Sequence, residues 1–90
     1  MNEQFILTIP KALQPQIEKD ARDNDCTPKE WLERVIMDVP RYEASEDFYA
    51  DYITLFFNLE KGKAPHSRVM TVCKNLNISK SHALHKLIFK

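Results

Sequence analysis

The chain has 90 residues, 43% of them hydrophobic, and its 13 basic and 13 acidic side chains cancel to no net charge. This length predicts one small domain or two very small ones, and the ordinary composition excludes a fibrous or largely disordered chain. No apolar run is long enough to span a membrane and no signal-peptide pattern is present, so we expect a cytoplasmic protein without membrane contact.

The first predicted element is a β-strand over residues 5–9, which are mostly β-branched and apolar and are followed by Pro10. No other stretch is predicted to be a strand. A single strand leaves its backbone N–H and C=O groups unpaired, so we expect the same strand of a second chain to supply the partners. The sequence therefore predicts an obligate homodimer and leaves higher oligomers open.

Two helices are predicted to follow this strand. Leu13, Ile17 and Ala21 recur every four residues, which is the spacing of one helix face. Thr27 and Glu30 have the capping-box spacing that starts a second helix. The apolar stripe of this second helix consists of Trp31, Leu32, Val35, Ile36 and Val39.

Three more helices are predicted between residues 45 and 90. The third is capped by Ser45 and ends at Gly62, and its apolar stripe consists of Phe48, Tyr52, Leu55, Phe56 and Leu59. Ser67 and Ser79 are typical caps for a fourth and a fifth helix, and Asn77 separates these two helices. The predicted fold is therefore mostly α, with one N-terminal strand and a three-helix C-terminal region.

Residues 4–38, with a proline after the strand and a capped second helix, resemble the ribbon-helix-helix family, which includes the Arc and methionine repressors. In that family, strands from two chains pair into a ribbon that enters the major groove of DNA. The resemblance implies a dimerisation and DNA-binding domain over residues 1–40. Residues 45–90 would then form a separate basic domain.

The resemblance also implies roles for individual residues. Gln4, Ile6 and Thr8 would face the bases, and Thr27 and Lys29 at the start of the second helix would bind a phosphate. The dimer interface would consist of Phe5, Leu7, Ile9, Trp31, Leu32 and Ile36. The ribbon face carries no cation, which leaves open that the ribbon serves only for dimerisation.

A second candidate DNA-binding region lies at the C-terminal end. Residues 60–90 carry seven basic and one acidic side chain, a net charge of +6. Residues 72–88 resemble a helix-turn-helix, with its turn residues Cys73, Leu76, Asn77, Ile78 and Ser79. The DNA contacts of this motif would be Lys80, Ser81, His82, His85 and Lys86. The alternative is a helical hairpin with a solvated basic face.

No phosphate-binding loop, nucleophile elbow or HExxH motif is present, so we do not expect an enzyme. Cys73, His82 and His85 lack a fourth ligand and a recognised zinc spacing, and no metal or cofactor is predicted. The sequence predicts a dimeric protein that binds double-stranded DNA and acts as a transcriptional repressor or regulator. The alternative is a protein-interaction module, antitoxin-like or of another kind, that binds a partner through residues 45–90.

Overall fold

The computed structural model describes residues 1–44 and 51–90, in which a strand and two helices occur twice in succession. Four helices and a two-stranded antiparallel sheet make up this part of the chain. The elements are β1 (Asn2–Pro10), a 3₁₀ turn (Lys11–Leu13), α1 (Gln14–Asp23), α2 (Pro28–Met37), β2 (Tyr52–Glu60), α3 (Ala64–Leu76) and α4 (Lys80–Ile88).

The N-terminal strand is confirmed, but its partner lies in the same chain. β1 pairs antiparallel with β2 along its whole length, and Ile6 in the middle of β1 lies opposite Phe56 in the middle of β2. Beyond the strand ends, the Lys11 N–H donates to the carbonyl oxygen of Asp51, and the Lys61 N–H donates to that of Met1. The prediction of a lone strand is wrong, so β1 does not need the strand of a second chain as its partner.

The predicted third helix is also wrong where the structure describes it. Ile53, Leu55, Phe57 and Leu59 alternate along β2 and point towards the helices, which is the period of a strand. Phe56 makes the run apolar on both faces, so the same residues also fit a helical spacing. Residues 45–50, including the expected cap and start of that helix, lie outside the described part. Residues 52–90 therefore form a strand and two helices rather than three helices.

The two halves of the chain build the same turn between their helices. In the first half, the Cys26 N–H donates to the carbonyl oxygen of Ala21 at 3.0 Å. In the second half, the Ile78 N–H donates to that of Cys73 at 3.2 Å, 52 positions further on. These bonds satisfy carbonyl groups at the end of a helix, so α1 and α3 end with the same backbone hydrogen bond.

The core lies between one face of the sheet and the four helices. Equivalent helix positions are buried in both halves, as with Ile17 and Val69 or Leu32 and Leu84. The six residues expected at a dimer interface, Phe5, Leu7, Ile9, Trp31, Leu32 and Ile36, are all buried in this core. They pack within the chain, in one core cluster with residues of β2, α3 and α4.

A chain of hydrogen bonds ties the segment after α2 to both helices of the first half. The Trp31 Nε1–H donates to the Tyr42 hydroxyl at 2.7 Å, and that hydroxyl donates to Asp20 Oδ2 at 2.6 Å. Burial, together with the bond to Asp20, raises the pKa of Tyr42 to about 12. The half-buried carboxylate of Asp20 therefore accepts from a buried hydroxyl, which gives this polar side chain a hydrogen-bond partner at the edge of the core.

Across residues 1–44 and 51–90, no helix combines the length and the hydropathy needed to cross a membrane.

Candidate functional site

The sheet exposes one face to solvent, and we call this surface the outer face. Side chains alternate along each strand, so even-numbered residues point away from the core. The outer face consists of Gln4, Ile6 and Thr8 on β1 and Thr54, Phe56 and Asn58 on β2. The three β1 residues are exposed, as the sequence predicts for residues that would face a partner.

The outer face has an apolar centre and polar ends. Ile6 is 50% exposed and Phe56 is 66% exposed, and the two lie directly opposite each other. Gln4 pairs with Asn58 on one side of them, and Thr8 pairs with Thr54 on the other. Sequence reasoning missed the three β2 residues because it placed them in a helix, although the alternation from residue 53 to 59 carries the signal.

The N-terminus of α4 contacts the free edge of β1. The Ser81 Oγ accepts a hydrogen bond from the Ile6 N–H at 3.4 Å. Two residues earlier, the Ser79 Oγ caps the helix by accepting from the His82 N–H at 3.1 Å. Of the residues predicted to bind DNA in the C-terminal region, Ser81 is therefore placed beside the outer face.

The N-terminus of α2 lies beside the other strand. Pro28 and Lys29 line a cavity of about 320 Å³ together with Phe56 and Asn58 of β2. The sheet thus has the start of one helix near each strand. Each helix start belongs to the opposite half of the chain from the strand it approaches.

Thr27 forms the capping box that the sequence predicts. Its hydroxyl accepts from the Glu30 N–H at 3.2 Å and donates to the Glu30 carboxylate at 2.9 Å, and that carboxylate also accepts from the Thr27 N–H. The bonds from Thr27 hold the pKa of Glu30 below its usual range. The Thr27 side chain is therefore engaged as a cap, whereas Lys29 is exposed at this helix start.

Three ionisable side chains meet at the start of α4, and we call them the Glu3 cluster. Glu3 Oε2 lies 2.7 Å from Lys80 Nζ, and Glu3 Oε1 lies 3.0 Å from His66 Nε2. Hydrogen bonds from Lys80 and His66 lower the pKa of Glu3 to about 2, and the same contact raises the pKa of Lys80. Lys80, a predicted DNA contact, is thus held by a carboxylate from β1.

The other predicted C-terminal contacts lie further along α4. His82, His85 and Lys86 line a shallow cleft with Pro40 and Phe89, and the His85 ring stacks on Phe89 at 4.3 Å. Burial and the neighbouring His82 and Lys86 lower the pKa of His85. Leu84 is fully buried and Lys86 is exposed, which follows the apolar stripe and is the reverse of helix-turn-helix packing.

The described residues contain no group of three or more His, Cys, Asp or Glu side chains that could hold a metal ion. Comparison of the chain with protein-family models, curated proteins and solved structures gives no match. The proposed function therefore rests on the outer face and on the two helix starts beside it.

Proposed function

We propose that this chain is a DNA-binding transcriptional regulator or repressor, built as a ribbon-helix-helix unit within one chain. β1 and β2 take the places of the two strands that a dimer of that family contributes. The observation that carries the proposal is a two-stranded antiparallel ribbon with an exposed face and a helix start near each strand. The family resemblance of residues 4–38 supports the same interpretation.

A ribbon of two strands fits the major groove of B-form DNA, so the outer face can approach base edges. The side-chain amides of Gln4 and Asn58 match the donor and acceptor of adenine. The hydroxyls of Thr8 and Thr54 can bond several bases. Ile6 and Phe56, in the middle of the face, suit the methyl groups of thymine.

The two helix starts suit the phosphates on either side of such a groove. A helix N-terminus presents backbone N–H groups and a partial positive charge to an anion. Lys29 adds a cation at the start of α2. At the start of α4, a phosphate would have to compete with Glu3 for Lys80, so we expect Lys29 to contribute the stronger salt-dependent contact.

The second candidate is a protein-interaction module, and the exposed apolar pair favours it. Ile6 and Phe56 lie opposite each other on the two strands, and more than half of the Phe56 surface is exposed. Exposed apolar side chains grouped on one surface mark many protein-binding sites. Phe56 lies within residues 45–90, the region that the sequence assigns to a protein partner.

Titration of labelled duplex DNA at several salt concentrations tests the proposal. Affinity should fall steeply with salt, and Lys29→Ala should flatten the slope of log K against log salt by about 0.9 for one lost phosphate contact. Gln4→Ala and Asn58→Ala should change base preference by about 1–3 kcal/mol at one position each.

Lys86→Ala is the matched control, because Lys86 is an exposed lysine of α4 that lies with Pro40 and Phe89. Lys86→Ala should leave the salt slope unchanged. If Lys86→Ala reduces the slope and Lys29→Ala does not, the DNA contact lies at the basic C-terminal end. Absence of salt-dependent binding to duplex DNA would overturn DNA binding and leave the protein-interaction candidate.

A further inference from the structure

We infer that one copy of this chain recognises a non-palindromic DNA sequence, with a different half-site under each half of its ribbon. The inference rests on the proposed function and names the class of DNA sequence that it takes. A ribbon built from two identical chains has identical halves, and its binding sites have matching two-fold symmetry. The ribbon of this protein comes from two different strand sequences.

The register of the sheet and the equal lengths of the strands set which strand residues correspond, at an offset of 50 positions. The helices correspond at 52 positions because equivalent helix residues lie two positions further from the end of β2 than from the end of β1. Each strand has nine residues, and the middle residues Ile6 and Phe56 are paired with each other. An approximate two-fold axis through this pair relates Gln4 to Thr54 and Thr8 to Asn58. None of these corresponding positions carries the same residue.

The differences alter what each half can recognise. Gln4 offers a long amide where the other half has the short hydroxyl of Thr54. Asn58, which lies opposite Gln4 in the same half of the ribbon, offers an amide where the other half has Thr8. An amide pairs best with adenine, whereas a hydroxyl accepts several bases. Both amides therefore lie at one end of the ribbon and both hydroxyls at the other, so the two half-sites cannot be identical.

The two helix starts beside the ribbon also differ from each other. The start of α2 has Pro28 followed by an exposed Lys29, beside a largely apolar cavity. The start of α4 has Lys80 followed by Ser81, with Lys80 bound to Glu3 at 2.7 Å. One flank is open to a phosphate, and the other is occupied by a carboxylate of the chain itself.

Selection of binding sequences from a pool of duplexes with a randomised central segment tests the inference. The wild-type chain should enrich a non-palindromic sequence and bind it as one chain per duplex. A triple variant, Thr54→Gln with Phe56→Ile and Asn58→Thr, gives both strands the β1 residues and should enrich a palindrome. This palindrome should match neither half of the wild-type sequence, because each half of the variant ribbon pairs one glutamine with one threonine.

The reciprocal triple variant, Gln4→Thr with Ile6→Phe and Thr8→Asn, gives both strands the β2 residues and should enrich a different palindrome. Each triple variant should bind the wild-type sequence at least about 5-fold more weakly, since one lost base contact is worth about 1–3 kcal/mol. All substituted side chains lie on the outer face. Circular dichroism checks folding, and the selection with the wild-type chain decides the inference by itself if a triple variant unfolds.

The outcomes separate this inference from the proposed function. A palindromic wild-type sequence, two chains per duplex, or salt-dependent binding without any enriched sequence would overturn the inference and leave DNA binding in place. No binding to any duplex would overturn both.

Discussion

Asp25 and Asn77 lie 52 positions apart and are the non-glycine residues with positive φ in the described part of the chain, at 54° and 52°. Each residue stands two positions before the cap of the next helix, Thr27 in one half and Ser79 in the other. Aspartate and asparagine tolerate this left-handed conformation better than most residues. The sequence predicted both turns without indicating that they belong to one repeated unit.

The two caps should contribute similarly to stability. Thr27→Ala and Ser79→Ala each remove a side-chain acceptor from a helix N–H, and we expect each to lower the free energy of unfolding by about 0.5–2 kcal/mol. Urea denaturation followed by circular dichroism measures the change.

Ser67→Ala is the matched control for the caps. Ser67 lies inside α3, which begins at Ala64 with Lys63 as its cap residue, so the sequence prediction that Ser67 caps this helix is wrong. The exposed Ser67 side chain should tolerate alanine within about 0.5 kcal/mol. A loss at Ser67 equal to that at Ser79 would contradict the assignment of the caps.

A cross-strand disulfide should report whether β1 and β2 pair within one chain. Thr8 and Thr54 lie opposite each other on the outer face, so Thr8→Cys with Thr54→Cys should oxidise to a bridge within a monomer. Cys26 and Cys73 are replaced by alanine in the same background, because both are free thiols. Non-reducing electrophoresis at micromolar concentration gives the mass of the oxidised species.

The control for this bridge is Gln4→Cys with Thr54→Cys, because these positions are not opposite each other and should not cross-link efficiently. A covalent dimer from the Thr8 and Thr54 pair would show that the strands pair between chains. That result would restore the homodimer that the sequence favours.

Removal of the Tyr42 hydroxyl should destabilise the first half of the chain. Tyr42→Phe leaves the buried Trp31 Nε1–H without its acceptor, and an unsatisfied buried donor costs about 1–3 kcal/mol. Trp31→Phe in the same background removes the orphaned donor, so the double variant should lose less than the sum of the two single losses. Strictly additive losses would contradict a direct bond.

The Glu3 cluster should make stability depend on pH in the acid range. The folded-state pKa of Glu3 is about 2, below the ordinary value of 4.5, so its ionised form stabilises the fold. This contribution is fully present above about pH 4.5 and is lost as the pH falls towards 2. Urea midpoints measured across this range should fall less steeply in Glu3→Gln than in the wild type.

Lys80→Met should flatten the same profile, because Lys80 is the main cause of the lowered pKa of Glu3. An unchanged profile in Lys80→Met would show that the ion pair does not form in solution.

Features that depend on a few neighbouring residues could be predicted from the sequence. The capping box of Thr27 and Glu30 and the left-handed Asn77 followed by the Ser79 cap are of this kind, and the structure confirms them. The strand alternation that places Gln4, Ile6 and Thr8 on one face is equally local.

Features that depend on long-range pairing could not be predicted in the same way. Phe56 gives residues 52–60 an apolar spacing that fits a helix as well as a strand, and pairing with β1, about 50 positions away, decides between them. The Glu3 cluster joins positions 3, 66 and 80, which have no shared local pattern. The sequence alone therefore gives no sign that the strand and two helices of the first half recur in the second.

Pairing of β1 with β2 inside one chain makes assembly of the sheet a first-order process. The stability of an obligate homodimer falls as the protein is diluted, because unfolding also separates two chains. A sheet whose two strands share one chain has no such dependence on concentration. Dilution to a few copies in a cell would therefore leave the pairing of these two strands unchanged.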